Sequence, residues 1–187
     1  GAAIFEDTFD NGIVTNSNDD TGFWSLKTES GATITEAGGN LAISNTVEKY
    51  PGIYSEVDSR FDFFSEELTF SADYSLEAND ANSLMRFYIT SKVGSPSVGG
   101  QDMFYLAFYG NDRFYTQVRT NGSFFSPTGV KFLTAPITAF ELTLNSTNYD
   151  VTLDLTGGAT TNFNGAHGIP SSVWDATGGA LSFDHYR

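Results

Sequence analysis

Apolar and polar residues alternate along most of this chain in short runs broken by Gly, Asn, Asp and Pro. No segment sustains the i, i+3, i+4 spacing of an amphipathic helix, so the pattern predicts strands and turns. Residues 1–10, with Phe5 and Phe9, read as a first strand. Gly22 to Leu26 and Ala32 to Thr35 read as short ones. Gly38-Gly39 predicts a hairpin returning through Leu41 and Ile43. Long strands are predicted over Ile53 to Phe64, Leu68 to Leu76 and Ser83 to Ser91. A turn is expected at Asn79 to Asn82 and a loop over Gly94 to Gly100. Met103 to Tyr109 and Arg113 to Thr120 form a hairpin across Gly110-Asn111-Asp112, followed by short pieces at Phe124-Phe125 and Lys131 to Leu133. Phe140 to Leu144 and Tyr149 to Leu155 form another hairpin. Residues 168–177 hold one helical turn opened by Pro170, and Ala180 to Tyr186 closes the chain. Such regular spacing of short strands, with no internal repeat and no linker, predicts one all-β domain over 1–187, a two-sheet antiparallel jelly-roll sandwich. The chain stops within a predicted strand, as a domain cut from a longer protein would.

Alternation also assigns faces. Met85, Phe87 and Ile89 form one set, with Arg86 and Tyr88 opposite. Phe104, Leu106 and Phe108 leave Tyr105, Ala107 and Tyr109. Phe114, Thr116 and Val118 leave Arg113, Tyr115, Gln117 and Arg119. Three consecutive predicted strands thus collect Tyr, Gln and Arg on one side. A tyrosine ring can lie on a sugar while its hydroxyl hydrogen-bonds, and Arg grips carboxylate or sulfate with two parallel bonds. Arg86, Tyr88, Tyr105, Tyr109, Tyr115, Gln117 and Arg119 are therefore the candidate ligand face, expected on the concave sheet. The competing reading is a second core, with the tyrosines covered by a loop.

Composition narrows the classes. The 187 residues carry nine Lys+Arg against 23 Asp+Glu, a formal net charge of -14. That balance repels nucleic acid and anionic membranes at long range. The basic residues that exist are concentrated: Arg60, Arg86, Lys92, Arg113 and Arg119 lie within a third of the chain. No cysteine is present, which excludes disulfides and thiolate chemistry. No apolar run is long enough to span a membrane. The abundance of Phe, Tyr, Asn, Thr, Ser and Gly with little Lys is that of an exported, secreted or cell-surface β protein, expected to be a monomer.

Several segments together resemble the concanavalin A-like lectin/glucanase superfamily: FEDTFDNG followed by Trp24, GGNLAI, GIYSEVDSRFDF and the closing ALSFDHYR. The resemblance implies two curved antiparallel sheets with the last strand beside the first. It also implies a structural calcium held by Asp184, by Glu6 or Asp7, and by Gly39 or Asn40. The competing reading leaves these carboxylates solvated; the run Asn16, Asn18, Asp19, Asp20 lacks EF-hand spacing. In related hydrolases a strand carries paired carboxylates about 5–5.5 Å apart. Here Glu56 and Asp58 are followed by Arg60 where the acid/base belongs, so an ion pair is the better reading. Jelly-roll alginate lyases resemble the chain in size; Arg86 and Gln117 match their pattern, but Arg119 stands where they carry His. His167 and His185 fall outside the motif and read as structural.

The sequence is thus read as an extracellular polysaccharide-binding domain with structural calcium, its glycan neutral or anionic. A lyase of uronate-containing glycans is the first alternative and a noncatalytic adhesion protein the second.

Overall fold

The computed structural model describes residues 3–76, 81–91, 101–174 and 178–187. The predicted loop at Gly94 to Gly100, Lys92, and part of the Asn79 to Asn82 turn lie outside them. The strands are β1 (Trp24–Lys27), β2 (Ala32–Ala37), β3 (Asn40–Asn45), β4 (Gly52–Ser55), β5 (Leu68–Asp73), β6 (Leu84–Thr90) and β7 (Met103–Tyr109). They continue with β8 (Arg113–Thr120), β9 (Ser123–Phe125), β10 (Lys131–Phe132), β11 (Ile137–Leu144), β12 (Asn148–Leu155), β13 (Thr160–Ala166) and β14 (Ala180–Tyr186). Single 3-10 turns occupy Ser59–Phe61 and Ser171–Val173, the second following Pro170 as expected.

The larger sheet runs β1-β4-β14-β6-β7-β8-β10, with β9 also on β8; the smaller runs β13-β12-β11-β5, and β2-β3 is a separate hairpin. Every strand pairing among the described residues is antiparallel. Among the described residues no helix is long and apolar enough to cross a membrane.

The two sheets meet through phenylalanines at alternate positions. Phe87 and Phe108 both reach Phe140, with ring centroids 5.4 and 5.7 Å apart; Phe104 meets Tyr149 at 5.7 Å and Phe114 meets Phe163 at 5.6 Å. Leu106, Leu142, Leu144 and Leu153 fill the space between, fully buried. Each buried side chain of this size stabilises by about 1.5–3 kcal/mol. The far face of the smaller sheet is polar instead: Thr69 bonds Thr143 at 2.9 Å, and Asn162 bonds Asp150 and Thr152 at 2.6 and 2.9 Å.

Three expectations are corrected. Residues 3–10 form no strand; they cross the surface while Phe5 packs on Phe23 and Phe61 at 4.3 and 5.6 Å. The closing strand therefore lies between β4 and β6, with β4 separating it from β1. The long strand expected over Ile53 to Phe64 ends at Ser55, because Asp58 accepts from the Arg60 backbone and turns the chain into the 3-10 turn. Finally, Thr160–Ala166 is an edge strand with Phe163 as its one large apolar residue, which left almost no pattern to read.

Gly52 has no side chain because none fits. A Cβ there would lie 2.0 Å from the Phe183 carbonyl oxygen of β14. Gly52→Ala is expected to lower the unfolding free energy by about 1–3 kcal/mol or more, measured by urea denaturation; an unchanged midpoint would contradict this close approach.

Both histidines are structural. His167 is 1% exposed, packed edge-on to Phe63 and Phe64. Its Nδ1 accepts from the Ile169 N–H at 3.0 Å and its Nε2 donates to the Asn145 carbonyl at 2.9 Å, which selects the neutral Nε2–H tautomer. His185 is buried with Nδ1 unpartnered. Burial pushes both below the ordinary histidine value. The unfolded chain then binds more protons than the folded one below about pH 6.5, so stability falls as pH drops through that value. The urea midpoint is expected to fall between pH 7.5 and 5.5, and less so in His167→Gln and His185→Phe relative to their own pH 7.5 values.

Candidate functional site

The strands β6, β7 and β8 form a meander whose inner face belongs to the core just described. Period-two geometry then forces every intervening residue outward. The register sets rows across this outer face. Ser182, Tyr88, Tyr105 and Gln117 form one; Asp184, Arg86, Ala107 and Tyr115 the next; Ala180, Thr90, Met103 and Arg119 a third. Leu84, Tyr88, Met103, Tyr105 and Ala107 are buried there as a second apolar cluster, edged by Tyr50, Tyr109, Tyr115 and Tyr186. The parity that the sequence implied for these strands therefore holds, and both competing readings have part of the face.

The centre is an ion pair in a tyrosine cage. Arg86 donates from Nε to Asp184 Oδ1 and from Nη2 to Oδ2, each at 2.8 Å. Its guanidinium lies 3.9 Å from the Tyr50 ring, 4.9 Å from Tyr88 and 5.8 Å from Tyr105. The two side chains are 13% and 3% exposed. Burial pushes the Asp184 carboxyl up against the pull of Arg86. Arg86 itself is held protonated by Asp184 in spite of its burial. Asp184 can approach because Gly52 lies opposite it on β4.

This changes the role of several expected residues. Arg86 commits Nε and Nη2 to Asp184 and acts as an internal support. Tyr88 and Tyr105, 2% and 6% exposed, form the floor. Tyr109, Tyr115, Gln117 and Arg119 are half-buried and reach the surface. Tyr105 donates a short hydrogen bond to Gln117 Oε1, and the Tyr109 and Tyr115 hydroxyls lie 3.5 Å apart. Burial pushes the Tyr88, Tyr105 and Tyr115 phenols up, away from the range in which a phenolate could act as a base at neutral pH. Neither histidine joins this face: His167 is in a core-packed loop, and His185 has the inward parity of Leu181 and Phe183 on β14.

Tyr50 and Tyr186 belong to the site and escaped the sequence reading, as did the exposed ring of Phe132. Tyr186 has the parity of Asp184 and was legible in principle. Tyr50 precedes Pro51 outside any strand, so alternation could not place it.

Of the expected calcium donors, Asp184, Asp7 and Glu6 already hold protein partners. Both Asp184 oxygens are taken by Arg86. Asp7 accepts from the Phe9 N–H at 2.9 Å and the Trp24 indole at 2.8 Å, and the Glu6 carbonyl accepts from Asn18 at 3.0 Å. Gly39, in the β2-β3 turn, and Asn40, the first residue of β3, are exposed, and Gly39 comes near the Thr8 carbonyl. Among the described residues no three His, Asp or Glu side chains gather in a set that could hold a metal ion. Glu56 is exposed beyond the end of β4. Asp58 pairs with Arg60 at 2.7 Å, as the ion-pair reading expected, and Asp20 adds a contact at 3.1 Å.

The sequence matches no family model and no curated protein. Among solved structures, the Bacillus licheniformis beta-glucanase is similar over 100% of this chain and 86% of its own, with a TM-score of 0.50 at 14% identity. The chain has a concanavalin A-like jelly-roll fold. Two structures of Scytalido-glutamic peptidase with transition-state analogues are more distant. Each has a TM-score of 0.36, at 12% and 11% identity, over 74% of this chain. The chain spans 64% and 65% of those peptidase chains, less than two thirds.

Removing one partner of a buried pair strands the other charge, at a cost of about 3–5 kcal/mol. Arg86→Met is expected to lose that much stability in urea, and Arg86→Met with Asp184→Leu to recover most of it. A single variant as stable as the parent would mean that Arg86 is free to serve a ligand.

Proposed function

We propose that this chain is a noncatalytic polysaccharide-binding domain of an exported or cell-surface protein, and that the glycan lies on the outer face of the larger sheet. The observation that carries the reading is the half-exposed group Tyr109, Tyr115, Gln117 and Arg119, set in register on a three-strand platform over a buried apolar layer. Rings and hydrogen-bonding groups held side by side suit the alternating C–H and hydroxyl surfaces of a sugar chain. The beta-glucanase that shares the fold is named for a glucan, which supports carbohydrate as the ligand class. The tyrosine floor and the internal Arg86–Asp184 pair keep the platform from deforming, so little ordering cost falls on binding.

The test is retention on insoluble polysaccharides, followed by analysis of the supernatant for released sugar. Binding without product is expected. Tyr115→Ala is expected to weaken it by about 1–3 kcal/mol, as for a central contact residue. Failure to bind any glycan of a broad panel would overturn the proposal, and release of unsaturated or reducing ends would replace it with an enzymatic one.

A further inference from the structure

Three of the five arginines are already committed to carboxylates: Arg60 to Asp58 and Asp20, Arg86 to Asp184, and Arg187 to Glu48. Arg113 and Arg119 are not paired with any carboxylate among the described residues, in a chain with 23 Asp+Glu. Both stand on β8 with outward parity. Each guanidinium rests on an aromatic ring, Arg113 at 4.0 Å from Tyr109 and Arg119 at 5.3 Å from Phe124. The Nε of each is buried without a hydrogen-bond partner. A buried donor left unmade is costly, so two such donors on one strand of a ligand face mark positions that an external acceptor would complete.

The surroundings repeat at both positions. Across the strand pairing, Arg119 lies opposite Phe124 and Arg113 opposite Phe132, and these rings are 55% and 76% exposed. A cleft opens at each arginine. The one at Arg119, about 370 Å³, is lined also by Gln101, Asn121, Ser172 and Asp102, whose Oδ1 accepts from the Asn121 N–H at 3.3 Å. The one at Arg113, about 220 Å³, is lined also by Tyr109, Asn111 and Asp112, and reaches the core residues Tyr74, Phe108 and Ile137 at the end of the sheet. Tyr115 and Gln117 lie between them on the same strand face. Six residues of strand separate the two arginines by roughly 20 Å, a span that takes several pyranose rings.

The geometry points to β8 as a two-point reader of an acidic polysaccharide. Arg113 and Arg119 each bind a carboxylate or sulfate, Phe132 and Phe124 flank them with apolar surface for the sugar faces, and Tyr115 and Gln117 hold the rings between. The inference rests on the proposed glycan-binding role and adds its charge class and its direction along the strand. A polyanion with closely spaced charges, such as single-stranded nucleic acid, fits less well. It would meet two cations far apart in a field dominated by the net charge of -14.

The test is a set of calorimetric titrations of the whole chain with soluble fragments of a polyuronate, a sulfated galactan, a neutral β-glucan and an oligothymidylate, for the parent, Arg113→Gln, Arg119→Gln and Phe132→Ala. Near-ultraviolet circular dichroism checks that each variant is folded, and any that is not is replaced by the Lys substitution at the same arginine. One acidic glycan, uronate or sulfate, is expected to bind at least about tenfold tighter than the neutral glucan, with affinity falling as salt rises. Each arginine variant should lose about tenfold on the acidic glycan and little on the neutral one. Equal affinity for charged and neutral glycans overturns this inference and leaves the binding role intact. Unchanged acidic-glycan affinity in both arginine variants does the same. Tighter binding of the oligothymidylate, or no binding of any glycan, overturns both.

Discussion

The phenylalanines Phe87, Phe104, Phe108 and Phe114 sit at inward positions of three neighbouring strands and close against Phe140, Tyr149 and Phe163 of the second sheet. This layer fixes the register of the meander, because a slip of one residue would turn the rings to the other side. Everything on the outer face inherits its position from it. Tyr88 meets Tyr105, and Tyr105 meets Gln117, because Phe87, Leu106 and Thr116 occupy the neighbouring inward places.

The outer face solves a different problem. A central strand of the larger sheet packs its inward residues on the second sheet, while its outward residues belong to a separate apolar cluster. Leu84, Met103 and Ala107 are buried there beside tyrosines, and Arg86 is carried into the same layer by Asp184. The bidentate geometry and the rings stacked on the guanidinium satisfy a charge that would otherwise be expensive to bury. Asp184 in turn depends on the bare backbone of Gly52. The ion pair therefore ties β4, β14 and β6 together at the point where the resemblance to calcium-binding jelly rolls implied a metal ligand.

The division of labour among the arginines follows from neighbours alone. Arg60 and Arg86 have carboxylates brought to them by the 3-10 turn and by β14. On β8 no carboxylate-bearing strand lies alongside the outward arginines; their cross-strand neighbours are Met103, Phe124 and Phe132. Each of these cations rests on an aromatic ring with a cleft beside it, the setting on which the proposed reading of an acidic glycan rests.

Much of this was written in the sequence. The period of two within Leu84 to Thr90, Met103 to Tyr109 and Arg113 to Thr120 gave the strands, the hairpin and the sorting of inward Phe from outward Tyr and Arg, because side-chain period and backbone pleat are the same property. The two-sheet sandwich followed from strand spacing. Alternation is a local rule, however, and says nothing about what stands opposite. That Arg86 meets Asp184, 98 residues away, while Arg119 pairs with no carboxylate among the described residues, was decided by strand order in the larger sheet. So was the engagement of both Asp184 oxygens by Arg86. Residues 3–10 and Glu56 to Phe64 also departed from the pattern, since an Asx-type bond at Asp58 and aromatic packing of Phe5 outweighed strand propensity there. The sequence settled which side of each strand a residue faces; the tertiary structure settled its neighbour, because pairing across strands distant in the chain depends on how the whole set of strands packs.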